Sequence, residues 1–171
     1  LPPLKSSRLS VVYNQDNGQL IRAPVDGTMT SQGEYVSGAR RSFSAGAGLL
    51  STSMDYATFL QMMLNGGEYN GARIISRKSV ELMTSNHLGD VKFPWSEGTG
   101  FGLGFAITTD LGERGLLGTE GEFGWGGAYH SVYWADPIED LLVVYFTQVI
   151  PISLDDHDKL RPLVYQSLID E

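Results

Sequence analysis

The feature that most constrains the fold is an apolar run near the end of the chain, Leu141-Leu142-Val143-Val144-Tyr145-Phe146. A strand that is apolar on both faces is typical of a central strand covered on each side. The run is far shorter than the roughly 18 residues that a membrane-spanning helix needs. We therefore predict a buried strand and no membrane span. Its sheet neighbours are expected to lie outside this sequence or to be borrowed from a partner, including a second copy of the chain.

The order of the other segments predicts an α+β fold, an antiparallel sheet flanked by helices. Capping residues and glycine stops indicate two helices, one from about Thr52 or Ser53 to Asn65-Gly66-Gly67 and one from Ser76 to about Asn86-His87. Strand-like segments follow at Phe101 to Thr109, Glu122 to Trp134 and Leu141 to Gln148, before a helix between about Leu154 and Ile169 that Pro162 should kink or restart.

The first 45 residues have little periodicity and many turn-forming residues. Asp16-Asn17-Gly18 is a strong hairpin signal, and it lies between two short candidate strands, Leu9 to Tyr13 and Leu20 to Ala23. An extended surface segment is the alternative. The length of 171 residues suits a single domain or a large piece of one, with no separate second domain.

Composition excludes several classes of function. The net charge is −8 and there is no basic stripe, so nucleic acid is not an expected partner. Cysteine is absent, which excludes disulfides and thiol catalysis. No pair of histidines or carboxylates has metal-ligand spacing, and acidic residues at 155–158 suit a helix N-terminus, so neither a metal nor a cofactor is expected.

The segment Phe123-Gly124-Trp125-Gly126-Gly127-Ala128-Tyr129 is the strongest candidate for chemistry. A strand poor in side-chain bulk lets a carbonyl approach a backbone N–H, which then stabilises negative charge on the carbonyl oxygen. A glycine bulge in an ordinary strand is the alternative. The following His130-Ser131 pair does not form a nucleophile and base, because neighbouring strand residues point to opposite faces.

Two stretches resemble the serine β-lactamase and penicillin-binding-protein family, in its class C β-lactamase and esterase branch. The first runs from Gly46-Ala47-Gly48-Leu49-Leu50 through Asp55-Tyr56-Ala57 to Asn65-Gly66-Gly67. The second is the glycine-rich segment with Trp134-Ala135-Asp136-Pro137, similar to the strand with the family's third motif. Phe101-Gly102-Leu103-Gly104-Phe105 resembles a further family strand. The resemblance, over roughly residues 38 to 170, implies an incomplete β-lactamase/transpeptidase-like fold.

The sequence departs from a complete enzyme of this family. The family's nucleophile lies in S-x-x-K, and none of the four lysines has Ser three positions before it. No Tyr or Ser has Asn two positions later, as the second motif requires. In the family both motifs precede the glycine-rich loop. The resemblance therefore implies a C-terminal fragment of a serine hydrolase of esterase, β-lactamase or D-amino-acid peptidase type. We expect its nucleophile Ser and Lys to come from a missing N-terminal segment or a partner chain, and we expect this chain alone to be inactive.

The resemblance also implies roles for individual residues. The Ala128 N–H would be one oxyanion donor, and Gly126, Gly127, Tyr129 and Ala47 would line the substrate site. Trp125 occupies the place of the motif lysine, where it would form an apolar wall that favours uncharged esters or amides, and a core tryptophan is the alternative. Phe93 and Trp95 would reach over the cleft, or pack within their own loop. A non-catalytic binding or scaffolding module of the same fold remains the competing function.

Overall fold

A computed structural model describes residues 1–25, 31–33, 36, 38, 41, 44–46, 48–150 and 156–169. The chain packs as two compact units, which are described separately below. Unit one consists of Leu1–Thr52, Gly127–Ser131 and Phe146–Ser153, and unit two consists of Ser53–Gly126, Val132–Tyr145 and Leu154–Glu171. None of the helices in the described part of the chain has the length and hydropathy needed to cross a bilayer.

Unit one is built on a small three-stranded sheet. After a 3₁₀ helix (Pro3–Arg8), the chain forms β1 (Tyr13–Asp16) and β2 (Gln19–Arg22), and β10 (Val149–Ile150) pairs in parallel with β1. The predicted hairpin turn is present at Asn17-Gly18, where φ is 48° and 78°, the left-handed values that a tight hairpin turn needs. The strand before the turn begins at Tyr13, not at Leu9 as predicted.

The core of unit one is small and combines apolar packing with one amide side chain. Val12, Ala23 and Ile150 are buried together, and Tyr129 packs against them. The Gln32 amide extends the hydrogen bonding of the sheet, because it accepts from the Val12 N–H at 3.0 Å and donates to the Val12 and Ala23 carbonyls at 2.7 and 2.8 Å. Two of these bonds satisfy the Val12 N–H and the Ala23 carbonyl, and the third adds to the Val12 carbonyl, which also accepts from the Ala23 N–H at 2.9 Å.

Unit two contains a five-stranded sheet whose strands lie side by side in chain order. The registered pairs β5–β6, β6–β7 and β8–β9 are antiparallel. A connection of three residues between β7 and β8 also requires an antiparallel hairpin, since a parallel pair needs a long crossover. The strands are β5 (Thr99–Phe101), β6 (Ala106–Thr108), β7 (Phe123–Gly127), β8 (Ser131–Asp136) and β9 (Leu141–Tyr145).

The helices of unit two and its small hairpin follow the predicted order. They are α1 (Ser53–Leu64), the hairpin β3 (Glu68–Tyr69) and β4 (Ala72–Arg73), α2 (Arg77–Met83), α3 (Leu111–Arg114) and α4 (Asp156–Tyr165). Helix α1 ends where predicted, because Gly66 adopts a φ of 65° that suits a C-terminal glycine. The Ser76 side chain caps α2 by accepting from the Ser79 N–H at 3.0 Å.

Helix α1 packs on the sheet through aromatic rings. The Tyr56 ring lies 4.6 Å from that of Tyr133 on β8, and the Phe59 ring stacks 6.4 Å from Phe105. Phe105 in turn contacts Phe123 of β7 at 5.1 Å between ring centroids. Burial is the first cause of the raised pKa of Tyr133, and its hydrogen bond with Tyr56 adds to it.

Helix α4 is fastened to the sheet by its side chains. The Arg161 guanidinium lies 4.4 Å from the centroid of the Trp134 ring and donates to the Leu117 carbonyl at 2.8 Å. The helix does not restart at Pro162, because α4 runs without interruption from Asp156 to Tyr165, and the alternative of a kink at Pro162 stays a prediction. Proline removes one helical hydrogen bond, and the contacts of Arg161 and Tyr165 hold the two flanking turns in place.

Two predicted boundaries are wrong, one at a glycine turn and one at a group of long-range hydrogen bonds. The segment from Phe101 to Thr109 is not one strand, since the chain turns back at Gly104, where φ is 99°, and forms β5 and β6. Helix α2 ends at Met83, earlier than Asn86; the Met83 carbonyl accepts from the Leu103 N–H at 2.9 Å, and the Asn86 Oδ1 accepts from the N–H groups of Leu88 and Phe101 at 3.0 and 3.1 Å.

The apolar run at residues 141–146 contains β9, which lies at the edge of the sheet, and the central position predicted for it requires a neighbouring strand from outside the described residues. Within the described residues β9 is the last strand of the sheet, paired on one side with β8. All five of its residues are half-buried. Pairing of its other edge, with a missing segment or a partner, therefore stays a prediction.

Candidate functional site

The glycine-rich segment lies on β7, and its first glycine has a packing reason. Gly124 pairs with Ala106 of β6. A Cβ at Gly124 would lie 2.9 Å from the Cα and the Cβ of Trp134 and would also press on the Tyr133 carbonyl oxygen. A distance of 2.9 Å is shorter than carbon–carbon contacts allow, so only glycine fits between β7 and the Trp134 side chain.

The second and third glycines stand in a different environment. Gly126 and Gly127 are both exposed at the end of β7. A Cβ at Gly127 would meet only the Ser131 side chain, at 3.7 and 3.9 Å, which is ordinary van der Waals contact. The φ of Gly127 does not lie in the left-handed region. Neither packing nor backbone conformation in the described residues therefore requires glycine at position 127.

The turn that joins β7 to β8, residues 128–130, holds the predicted oxyanion donor. Ala128 is exposed. The His130 N–H donates to the Gly127 carbonyl at 3.1 Å, and the Thr147 hydroxyl donates to the carbonyls of Tyr129 and His130 at 3.0 and 2.7 Å. Within the described residues the Ala128 N–H takes no part in the backbone hydrogen bonding of this turn.

His130 is a turn residue with an unusual backbone. Its φ is 60°, and its side chain is buried. Ser131 is the first residue of β8. The directions of the His130 and Ser131 side chains therefore depend on the turn conformation of His130, and not on the strand alternation that was assumed from the sequence. The half-buried Tyr129 belongs to the core of unit one.

Trp125 is half-buried and lies in a cluster of aromatic rings in unit two. Its ring is 5.0 Å from that of Phe101, 6.1 Å from Phe93 and 5.9 Å from Trp95. The loop residues Phe93 and Trp95 contact Trp125 and each other, and their position over a substrate cleft stays a prediction. Phe101 is an additional neighbour that sequence reasoning did not assign to the site. These rings line an open pocket of about 350 Å³.

The predicted site residues that the structure describes are thus distributed between the two units. Trp125 and Gly126 belong to unit two, whereas Gly127, Ala128 and Tyr129 belong to unit one. The chain itself places Gly126, Gly127 and Ala128 in succession. Ala47, predicted to line the same site, lies outside the described residues.

A buried polar network in unit two was missed at the sequence level. Glu122 is 2% exposed and accepts from Arg114 at 2.6 Å, Arg161 at 2.8 Å and the Tyr165 hydroxyl at 2.6 Å. Tyr165 also lies 2.9 Å from Asp136, which is fully buried. The spacing of four between Arg161 and Tyr165, which places both on one helix face, is the signal that sequence reasoning could have used.

The network sets the protonation of its members. Burial by itself would raise the pKa of Glu122, but the hydrogen bond and charge of Arg161, with Tyr165 and Arg114, outweigh it and lower that pKa. Burial raises the pKa of Tyr165, and its bonds to Glu122 and Asp136 raise it further. Opposite charges satisfied in this way hold α4 and the loop before β7 against the sheet.

The chain resembles known proteins in sequence. Residues 1–161 match the Beta-lactamase family. An uncharacterized protein of Mycobacterium tuberculosis is 39% identical over 123 residues, which cover 66% of this chain and 31% of that protein. A protein of Escherichia coli O157:H7 named "Putative D-alanyl-D-alanine carboxypeptidase" is 31% identical over 130 residues, covering 72% of this chain and 27% of its own length.

Two solved structures show the same fold. EstCE1, described as a hydrolase with promiscuous acyltransferase activity, superposes with a TM-score of 0.78 at 21% identity, covering 91% of this chain and 43% of that one. A mutant of simvastatin synthase from Aspergillus terreus gives a TM-score of 0.71 at 17% identity, covering 96% and 43%.

The chain therefore spans less than half the length of each protein named above. Its antiparallel sheet and flanking helices form a partial β-lactamase/transpeptidase fold, as the sequence predicted. The resemblance that rested on two short glycine-containing stretches is confirmed by the match over residues 1–161, and the chain belongs to the Beta-lactamase family.

Proposed function

We propose that this chain forms the C-terminal part of a serine hydrolase that acts on uncharged esters or amides, with the nucleophile supplied from outside this sequence. The observation that carries the proposal is the exposed stretch Gly126-Gly127-Ala128, where packing does not require a glycine at 127. A surface kept free of side chains without a structural reason suits the approach of a ligand to the backbone.

The chemistry of the proposed reaction explains why such a stretch matters. When a serine oxygen attacks an ester carbonyl, the carbonyl oxygen becomes negatively charged. Each preorganised N–H donor stabilises that oxyanion by about 3 to 4 kcal/mol. In the proposal one donor is the Ala128 N–H, which is not used by the backbone hydrogen bonds of its turn. The other donor is the N–H of the serine itself.

The charges of the side chains around Trp125 indicate which class of substrate suits the site. A lysine at this position would bind a substrate carboxylate, as a D-alanyl peptide carries, whereas an indole ring offers no cation. The lysine that lines the neighbouring pocket, Lys92, is 90% exposed and its ammonium lies 3.9 Å from a Glu97 carboxylate oxygen. An uncharged ester or amide therefore suits this site better than a carboxylate-bearing peptide.

The lack of an S-x-x-K sequence in these 171 residues keeps a second function in view, that of a non-catalytic binding or scaffolding module. The two proposals differ in what the complete reading frame encodes. The hydrolase requires S-x-x-K upstream, or on a separate chain that pairs with this one. The binding module requires neither.

The test compares the 171-residue chain with the polypeptide encoded by the complete reading frame, using p-nitrophenyl acetate. We expect no turnover by the chain alone and turnover by the complete polypeptide, with a serine-directed organophosphonate labelling a serine outside this sequence. Robust turnover by the chain alone would contradict the assignment of the nucleophile. Absence of turnover and of labelling in the complete polypeptide would favour the binding module.

A further inference from the structure

We propose that the aromatic pocket, defined by Phe93, Trp95, Phe101 and Trp125, binds an uncharged aromatic group of one or two rings. The claim about the substrate rests on the proposed hydrolase function, and it narrows the proposed substrates to esters that carry an aromatic group. The claim that the pocket binds an aromatic group depends only on the geometry of unit two.

The four rings contact one another, and together they present both ring faces and ring edges to a ligand. Phe93 and Phe101 are stacked, with centroids 5.6 Å apart and planes 13° apart. Trp125 meets Phe101 edge-on at 84°, and Trp95 meets Phe93 edge-on at 87°. A flat aromatic ligand gains from both kinds of contact, since ring faces carry partial negative charge and ring edges partial positive charge.

The exposure of these rings shows that the cluster is not closed by the described chain. Trp95 is 74% exposed, although it contacts two other aromatic rings, and Phe93 is only half-buried. A large apolar ring left in water gains favourable free energy in proportion to the area that a ligand covers. Trp95 is thus the residue whose contact area would change most when the pocket fills.

The size and lining of the pocket set the class of ligand. Its volume is about 350 Å³, whereas a dry apolar cavity of roughly 150 Å³ holds a benzene molecule. The remaining lining includes Leu88, Val91 and Pro94. The single charged lining residue, Lys92, has its ammonium near Glu97 and turned to solvent. An uncharged ring system up to the size of naphthalene fits these conditions.

One residue of the pocket also precedes the glycine-rich stretch in the chain. Trp125 lines the pocket and precedes Ala128 by three positions. Three residues of backbone span at most about 11 Å. The substrate part of the proposal rests on this closeness along the chain.

The experiment measures binding without turnover, by calorimetry of methyl 2-naphthoate with the 171-residue chain. We expect saturable binding that Trp95→Ala weakens at least tenfold and that Trp95→Phe restores to within about threefold. Methyl octanoate, which is flexible and has no ring, should bind at least threefold more weakly than the naphthoate ester. The matched control is Ile138→Ala, an apolar residue that is 71% exposed outside the pocket, and it should leave affinity unchanged.

Binding that is absent, or equal in the Trp95→Ala variant, would overturn the assignment of the pocket. The outcome is separable from the fate of the proposed function. If the complete polypeptide hydrolyses p-nitrophenyl acetate while the chain fails to bind the naphthoate ester, the pocket assignment fails and the hydrolase stands. If Trp95-dependent binding is found and no hydrolysis occurs, the pocket stands as a ring-binding site and the hydrolase fails.

Discussion

The Arg161 guanidinium donates to the Glu122 carboxylate at 2.8 Å, and both side chains are almost completely removed from solvent. Arg161 comes from α4, and Glu122 directly precedes β7, the strand that ends in the exposed glycines. The pair therefore couples the stability of the C-terminal helix to the segment that carries the candidate site.

Removal of Arg161 is expected to destabilise the fold strongly. Arg161→Ala leaves the Glu122 charge buried with one arginine fewer and removes the contact with the Trp134 ring. The free energy of unfolding should fall by about 3 kcal/mol, because the loss of one partner of a buried charge is costly even though Arg114 remains. Urea denaturation followed by circular dichroism measures this.

The control for this prediction is Arg77→Ala, which removes the ion pair between Arg77 and Glu81. The Arg77 side chain is 67% exposed and the Glu81 side chain is 42% exposed. Its effect should stay within about 0.5 kcal/mol, since exposed ion pairs contribute little. Equal effects of the two substitutions would contradict the importance assigned to the buried pair.

The Glu122 carboxylate should also make the free energy of unfolding depend on pH in the acidic range. Its pKa in the folded protein lies below the ordinary value of 4.5, because its arginine and tyrosine partners outweigh the effect of burial. This contribution to the free energy of unfolding is therefore present above about pH 4.5 and is lost as the pH falls through the folded pKa.

Urea denaturation at pH 7, 5, 4 and 3 tests the sign. The wild-type midpoint should fall most steeply below pH 4.5, whereas Glu122→Gln should be less stable at pH 7 and should lose less on acidification. A variant that retains the full acid slope would show that other carboxylates cause it.

Two glycines of β7 should respond differently to the same substitution. Gly127→Ala adds a Cβ at ordinary contact distance from Ser131, so the free energy of unfolding should change little. If the oxyanion proposal holds, the methyl group hinders the substrate, and kcat/KM of the complete polypeptide for p-nitrophenyl acetate should fall at least about tenfold, or about 1.4 kcal/mol.

Gly124→Ala is the matched contrast, because its Cβ would lie 2.9 Å from Trp134 atoms. Overpacking of this kind should destabilise the fold by about 1 to 3 kcal/mol. Thermal unfolding of both variants and steady-state kinetics of Gly127→Ala give the comparison. Full activity in a well-folded Gly127→Ala protein would count against a substrate at this position.

The edge of β9 should make the 171-residue chain self-associate. In the described residues β9 pairs only with β8, and its five residues are half-buried and apolar or aromatic. Unpaired strand edges of this composition recruit further strands. Light scattering should show a mass that rises with concentration and dye binding to exposed apolar surface. A dilute, stable monomer that binds no dye would contradict the prediction.

Local patterns accounted for most elements of the fold. The Asn-Gly turn between β1 and β2, the glycine stop of α1 and the serine cap of α2 all formed as predicted. These features depend on residues that are close in sequence, such as a positive φ or a side chain that reaches the next turn. The family resemblance rested on the order of such local motifs.

Features that depend on distant partners were not predictable in the same way. Helix α2 ended early, close to where Asn86 binds the Phe101 N–H fifteen positions away, and the segment from Phe101 split in two at a glycine turn. The Glu122 network joins residues up to 43 positions apart. Periodicity places Arg161 and Tyr165 on one helix face, but it does not identify Glu122 as their partner, because that depends on which elements the sheet brings side by side.

The sequence by itself determined the element order, the glycine-rich strand end and the absence of S-x-x-K, because each is a property of residue types and their spacing. Only the tertiary structure distinguished Gly124, which Trp134 leaves no room to replace, from Gly127, which has space around it. It also placed Phe101 beside Trp125 and left β9 at the edge of the sheet. Those distinctions arise from packing between strands, where the fit of atoms from distant residues decides what each position tolerates.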